Sequence, residues 1–312
     1  MTATALLAGY AVLMALAGAR LLNVAGWSHR SPRLGVVAWS AVVVSVTAAA
    51  VGAGVTATVP LLKQIGGLAE VVHRCRYVFR AAAAHPYALT LALVGISIGL
   101  GVVSALAKAI AGELRSCRRV ARAHLRALRL LGRERDGLVV LEAPQPAAWC
   151  VESAGGVVVV TSAALEALSR VELEAVAAHE RAHLAGRHSR WVAVLAGVER
   201  ALPVPVVRRA AGEIRVLLEM RADDVAARQC GRPAVAAALL ALTGVGPPGV
   251  LHASGFGVPR RFERLTGDIP RIRVWTGLPI VMVAAASVVL PATVAAWATM
   301  AVIGLHFCPV PA

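Results

Sequence analysis

Charge-free apolar runs alternate with short basic stretches over the first third of the chain and return at its end. The runs are Ala3 to Ala19, Leu34 to Leu62, Tyr87 to Ala107 and Val274 to Leu305. A bilayer core about 30 Å thick needs about 20 apolar residues in a helix. The pattern therefore predicts three transmembrane helices within residues 1–108, at about 3–22, 34–60 and 87–107, and a fourth with a short tail in 274–312. The first run ends in Leu16-Ala17-Gly18-Ala19, which resembles a signal-peptidase site, but no positive charge precedes it, so it reads as an uncleaved span. The second is overlong and holds Gly52, Gly54 and Pro60, so it should tilt or break near its end. Pro291 should kink the fourth. Between the second and third, Leu68 to Arg80 spaces Leu68, Val71, Val72, Cys75, Val78 and Phe79 helically against Arg74, Arg76 and Arg80. That is the pattern of a basic helix lying in the membrane interface, with a solvated loop helix as the alternative.

From residue 109 to 273 no charge-free run is long enough to span, and the periodicity changes. Glu113 to Leu131 extends the third span as an arginine-rich helix with an apolar stripe of Leu114, Cys117, Ala121, Leu125, Leu128 and Leu131, ended by Gly132. Leu138–Glu142, Ala147–Glu152 and Gly156–Thr161 read as short strands separated by Pro144, Pro146 and Gly155-Gly156. An exposed edge in such a sheet can hold an extended peptide by main-chain hydrogen bonds. Ser169 and Glu172 form a capping box that starts a helix at Arg170, and Gly186 offers its end. Trp191 to Val198 is too short to span and reads as a core helix, broken at Pro203-Val204-Pro205. Pro247-Pro248-Gly249 opens a loop that should border the cleft.

The helix entering from Arg170 carries His179-Glu180-Arg181-Ala182-His183. Residues four apart share a helical face, so two imidazoles converge as ligands for one zinc per chain, with Glu180 beside them as the catalytic base. A hydrolytic zinc needs a third protein ligand. Glu219 supplies one, and Asp223, four residues on and on the same face, is placed to accept the free ring N–H of a ligand histidine. His188 is the rival third ligand. With Gly186 it approaches H-E-x-x-H-x-x-G-x-x-H, but it arrives one residue early, with Ser189 in the ligand slot, so the cleft wall or the surface is the commoner place for it. The five cysteines show no C-x-x-C spacing. Cys117, Cys150 and Cys230 should be reduced, and Cys75 and Cys308 would lie on the outer side and could pair.

Composition supports this division. The 312 residues are 58% hydrophobic and carry a net charge of +15. Lys108 to Arg273 holds 25 Lys and Arg against 16 Asp and Glu, and positive charge marks the cytoplasmic side. The expectation is a multi-pass protein of the cell membrane with residues 109–273 as a cytoplasmic domain. Lys63, Arg74, Arg76 and Arg80 on the outer face run against that orientation. The basic excess meets anionic headgroups of the lipid bilayer. Nucleic acid is excluded as a partner, because no recognition motif is present and aromatics are only 4%.

Gly156-Val157-Val158-Val159-Val160-Thr161, then His179-Glu180-Arg181-Ala182-His183, Glu219-Met220-Arg221-Ala222-Asp223 and Arg261-Phe262-Glu263-Arg264-Leu265 together resemble the membrane-embedded gluzincin zinc metallopeptidases. The layout is most similar to the BlaR/MecR group, related to the HtpX and CAAX-protease group. The resemblance implies a mainly α membrane protein: four transmembrane helices, with an α+β zincin-like metallopeptidase domain between the third and fourth. It implies His179, His183 and Glu219 as metal ligands, Glu180 as general base, Asp223 as support, and a structural or cleft-lining role for Arg261 and Arg264. The implied function is zinc-dependent endopeptidase cleavage of a protein or peptide substrate in regulated proteolysis, such as a cytoplasmic transcriptional repressor. The alternatives are membrane quality control, or a transducer whose zinc domain mainly binds a partner. His188 stands where the BlaR-type sequences often carry Asp. No penicillin-binding sensor follows the fourth span, so a β-lactam receptor role is not expected.

Overall fold

The computed structural model describes residues 2–18, 20, 22, 27–60, 86–152, 155–242, 257–268 and 274–303. The chain is mainly helical. Helix α1 (Thr2–Leu13) passes through a π turn at Met14–Gly18. Then come α2 (Trp27–Arg30), α3 (Pro32–Thr56) and α4 (Pro86–Leu131). The sheet is built from β1 (Gly132–Arg135), β2 (Leu138–Leu141), β3 (Ala148–Val151) and β4 (Val157–Thr161). Helices α5 (Ser162–Ala167), α6 (Arg170–Gly186), α7 (His188–Ala201), α8 (Pro205–Cys230) and α9 (Arg232–Leu242) follow, then α10 (Val258–Thr266) and α11 (Val274–Ile303).

Among the described residues three helices, not four, are long and apolar enough to cross a membrane: Pro32–Thr56, Leu89–Leu131 and Gly277–Met300. The first apolar run forms a helix over Thr2–Gly18 that is shorter than the requirement, at about 1.5 Å of rise per residue. The interfacial segment Leu68 to Arg80, the loop at Pro247 and both Cys75 and Cys308 lie outside the described residues. Helix α11 stays helical through Pro279 and Pro291.

Helix α3 is the hub, packing against α1, α4, α8 and α11. Tyr10 and Ser45 both donate to the carbonyl of Ser287, at 2.9 and 2.7 Å, which knits α1, α3 and α11 through polar groups inside an apolar bundle. Helices α3 and α4 cross backbone to backbone. A Cβ on Gly54 would lie 2.6 Å from the carbonyl oxygen of Gly95, and one on Gly95 2.5 Å from that of Gly54. Only glycine at both positions permits that approach.

The strand order is β1-β2-β4-β3, with β2 and β4 parallel and the other pairs antiparallel. Alternation gives the sheet two buried faces. Val158, Val160 and Ala148 pack on α6 and α9, through Val176, Ala177 and Ala238. Val159 and Val151 pack on the far end of α4 at Leu128. A further core joins α3 to α8: Val36, Trp39, Val42 and Val43 interlock with Val207, Ile214, Leu217 and Leu218 of α8. The strands read from sequence are present within a residue or so. Strand β1 is an addition whose residues Gly132-Arg133-Glu134-Arg135 carry no apolar signal.

Candidate metal centre

Helix α6 begins where its capping box requires. Ser169 Oγ accepts from the Glu172 backbone N–H, and the Glu172 carboxylate accepts from that of Ser169 at 2.7 Å. The helix ends at Gly186, and Arg187 takes a left-handed conformation (φ 51°) that caps α6 and starts α7. That reversal turns His188 back under the preceding helix.

His179, His183 and Glu219 come together, each offering one ligand atom, with those atoms all within 4.8 Å of one another. His179 Nε2 and His183 Nε2 lie 3.0 Å apart. Glu219 faces them at 3.5 Å from His179 and 3.4 Å from His183. Lone pairs of two imidazoles and a carboxylate aimed at one point repel unless a proton or a cation sits among them. Glu219 Oε2 is buried, 3.5 Å from His179 Nε2. This donor set, two His and one Glu aimed at one point, has the chemistry of a site for a metal ion such as zinc.

Behind these three side chains further groups hold them in place. His179 Nδ1 lies 3.0 Å from Asp223 Oδ1. Arg261 clamps Asp223 with two hydrogen bonds, from Nε at 2.8 Å and Nη2 at 2.7 Å, and its Nη1 is 3.1 Å from Glu219 Oε2. Arg261 is only 2% exposed, so it supports the ligands from behind and does not line the cleft. Arg264 lies away from the cleft as well, on both oxygens of Asp224 and on the carbonyl of His29. His188 is buried, its Nδ1 2.8 Å from His183 Nδ1.

In the metal-free site the electrostatics are strongly coupled. Burial would lower the His179 ring, but hydrogen bonds to Asp223 and Glu219 outweigh it and carry it up to about 10. Burial raises the Glu180 carboxyl, against the opposing pull of His179 and His183. Burial would raise Glu219 and Asp223 too. His183 brings Glu219 well below the carboxylate range, with help from His179 and Arg261, and Arg261 does the same for Asp223. Burial, then the charges of His183 and Arg221, pulls His188 down to about 3, so its ring is neutral.

The ligands open onto a cleft of about 360 Å³. Its walls are the edge strand β3, through Trp149, Cys150 and Val151; helix α4, through Ser116, Cys117, Val120 and His124; and helix α7, through His188, Val192 and Ala196. Glu180 lies in the cleft with a buried Oε1 that has no hydrogen-bond partner among the described residues. Sequence reasoning overlooked two parts of this wall. One is Cys150, whose thiol is pushed far up by burial and then by the Glu180 carboxylate. Strand alternation was the signal that put it on the α6 face. The other is the polar part of the α4 face at Ser116 and His124, beside Cys117 of the apolar stripe, which the stripe alone does not assign to a cleft.

A helix-borne pair of histidines and a distant glutamate form a cluster able to hold a metal ion, compatible with a metallopeptidase. Residues 115–254 match the family model of peptidase family M48, which supports a zinc metallopeptidase function. The matched segment takes in the far end of α4, the sheet, and all of His179, Glu180, His183, Glu219 and Asp223, and it stops short of Arg261. No curated protein and no solved structure matches the chain.

Proposed function

We propose that this chain is an integral-membrane zinc endopeptidase. His179 Nε2, His183 Nε2 and Glu219 hold the metal, and Glu180 is the general base. The observation that carries the reading is the convergence of those three donors in a cleft that is also walled by the edge strand β3. Zinc, when bound, supplies Lewis acidity to a water molecule and to the scissile carbonyl.

The side chains do the rest. Glu180 takes the proton of the attacking water and delivers it to the leaving amine as the peptide C–N bond breaks. Its raised pKa suits both transfers, because a carboxyl nearer neutrality accepts and releases a proton with less penalty. Asp223, held by Arg261, orients His179 so that Nε2 stays a ligand. The edge of β3 offers main-chain groups to an extended substrate.

The bilayer placement draws on the three long apolar helices, and the cytoplasmic placement of the domain on its arginine excess. Regulated cleavage of a cytoplasmic regulator, such as a transcriptional repressor, is favoured by the continuity of α4. The helix that walls the cleft is the same helix as one span, so a change in the membrane reaches the site directly.

The test is zinc content together with casein or self-cleavage on the full chain in detergent, for wild type and Glu180→Gln. One zinc in both and cleavage in the wild type alone are expected. A wild type without zinc overturns the reading, and so does cleavage that persists in the variant.

A further inference from the structure

His183 has two ring nitrogens, and a neutral imidazole carries its proton on only one of them. Its Nε2 faces His179 and Glu219. For that nitrogen to offer a lone pair to a metal, the proton must sit on Nδ1. The atom waiting there is His188 Nδ1, 2.8 Å away, with the two rings edge to face at 89°. His188 must then accept, which places its own proton on Nε2. That nitrogen is buried and has no hydrogen-bond partner among the described residues.

The reverse assignment, with His188 donating, would leave the His183 proton on Nε2, among the ligand atoms. Gly186 makes room for the arrangement. A Cβ there would stand 2.3 Å from His188 Nε2 and 2.6 Å from its Cδ2, inside the ring's contact surface. Gly186 and His188 therefore act as a pair, the glycine leaving the space that the imidazole fills.

We infer that His188 is a positioning residue for the metal: its Nδ1 accepts the Nδ1–H of His183 and keeps the His183 Nε2 lone pair turned to the cation, as Asp223 does for His179. The inference rests on the zinc reading above. The two supports differ in kind. Asp223 is a carboxylate and His188 a ring, so the two ligand histidines are held by unequal acceptors, and His183 is the one that an uncharged side chain orients.

The test is zinc affinity by chelator competition, on the full chain in detergent, with the thermal unfolding of each metal-free variant recorded alongside. His188→Phe keeps a ring but removes the acceptor, and zinc should bind about 10- to 100-fold more weakly. His188→Asn returns an acceptor oxygen close to the Nδ1 position and should restore affinity to within about threefold of wild type, a rescue that mere space-filling would not give. Gly186→Ala, whose backbone tolerates a side chain, should weaken zinc as His188→Phe does by pushing the ring off His183. Wild-type affinity in His188→Phe, or equal loss in His188→Phe and His188→Asn, overturns the positioning role and leaves the metallopeptidase standing. Absence of zinc from the wild type overturns both.

Discussion

Single side chains set how this site answers to acidity. In the metal-free protein His179 holds its proton up to a pH of about 10, because Asp223 and Glu219 accept from it. Metal binding needs the neutral ring, so the cation must displace that proton. The sign follows: a raised pKa keeps the proton-bound form dominant through neutral pH, and apparent zinc affinity falls as pH falls. The slope should be about tenfold per pH unit for one displaced proton. Chelator competition measured between pH 6 and 9 checks this, and a flat profile would mean that His179 is neutral before the metal arrives. At this scale much was legible. The spacing of His179 and His183, and of Glu219 and Asp223, placed those four side chains on two helical faces, which the fold brings together. The place of His188 at the cleft wall was among the sequence's readings, but its contact with His183 was not legible, since it depends on a left-handed Arg187 that no apolar or polar pattern records.

Elements hold the cleft open by contact between backbones. Helix α7 crosses α4 at Gly197, where a Cβ would stand 2.6 Å from Ile110 Cα and 2.8 Å from its backbone nitrogen. Backbone cannot swing aside as a flexible side chain does. Gly197→Val should therefore separate the two helices that wall the cleft and cost about 1–3 kcal/mol by overpacking. A lowered unfolding midpoint with reduced cleavage and retained zinc is the expected outcome; an unchanged midpoint would show that the crossing has slack. The capping box of α6 and three of the strands could be read from local chemistry, because caps and alternation are short-range signals. Strand β1 could not be. Its polar residues reflect an exposed edge, and its pairing with β2 is fixed by a tight turn at Asp136-Gly137, both with positive φ.

The molecule as a whole is joined where α8, the helix of Glu219 and Asp223, lies against α3. Trp39 is 1% exposed in that core, beside Ile214 and Leu217. Trp39→Ala should cost about 3–5 kcal/mol through lost burial and the cavity left behind. It should also loosen Glu219, so zinc affinity and thermal stability are expected to fall together; loss of stability with unchanged zinc affinity would mean that α8 keeps its place without α3. Hydropathy gave the outline of the long apolar helices but counted four spans where, among the described residues, three helices reach the length. It marked the division at Lys108 as a change of character, and α4 runs through it unbroken for 46 residues. Docking of one region on another is a long-range property, and a linear pattern does not carry it.

The unbroken α4 also has a mechanical meaning. From the glycine contact at Gly95 to His124 in the cleft wall is 29 residues, or about 43 Å of stiff rod. With Gly54 and Gly95 as a fulcrum, a tilt of about 5° swings the far arm sideways by about 4 Å. That is close to the 4.8 Å that separates neighbouring strands in a sheet, and so close to the width of one added strand. A lever of this length would convert a small reorientation of its apolar half into the difference between a slot wide enough for an extended chain beside β3 and one that is not.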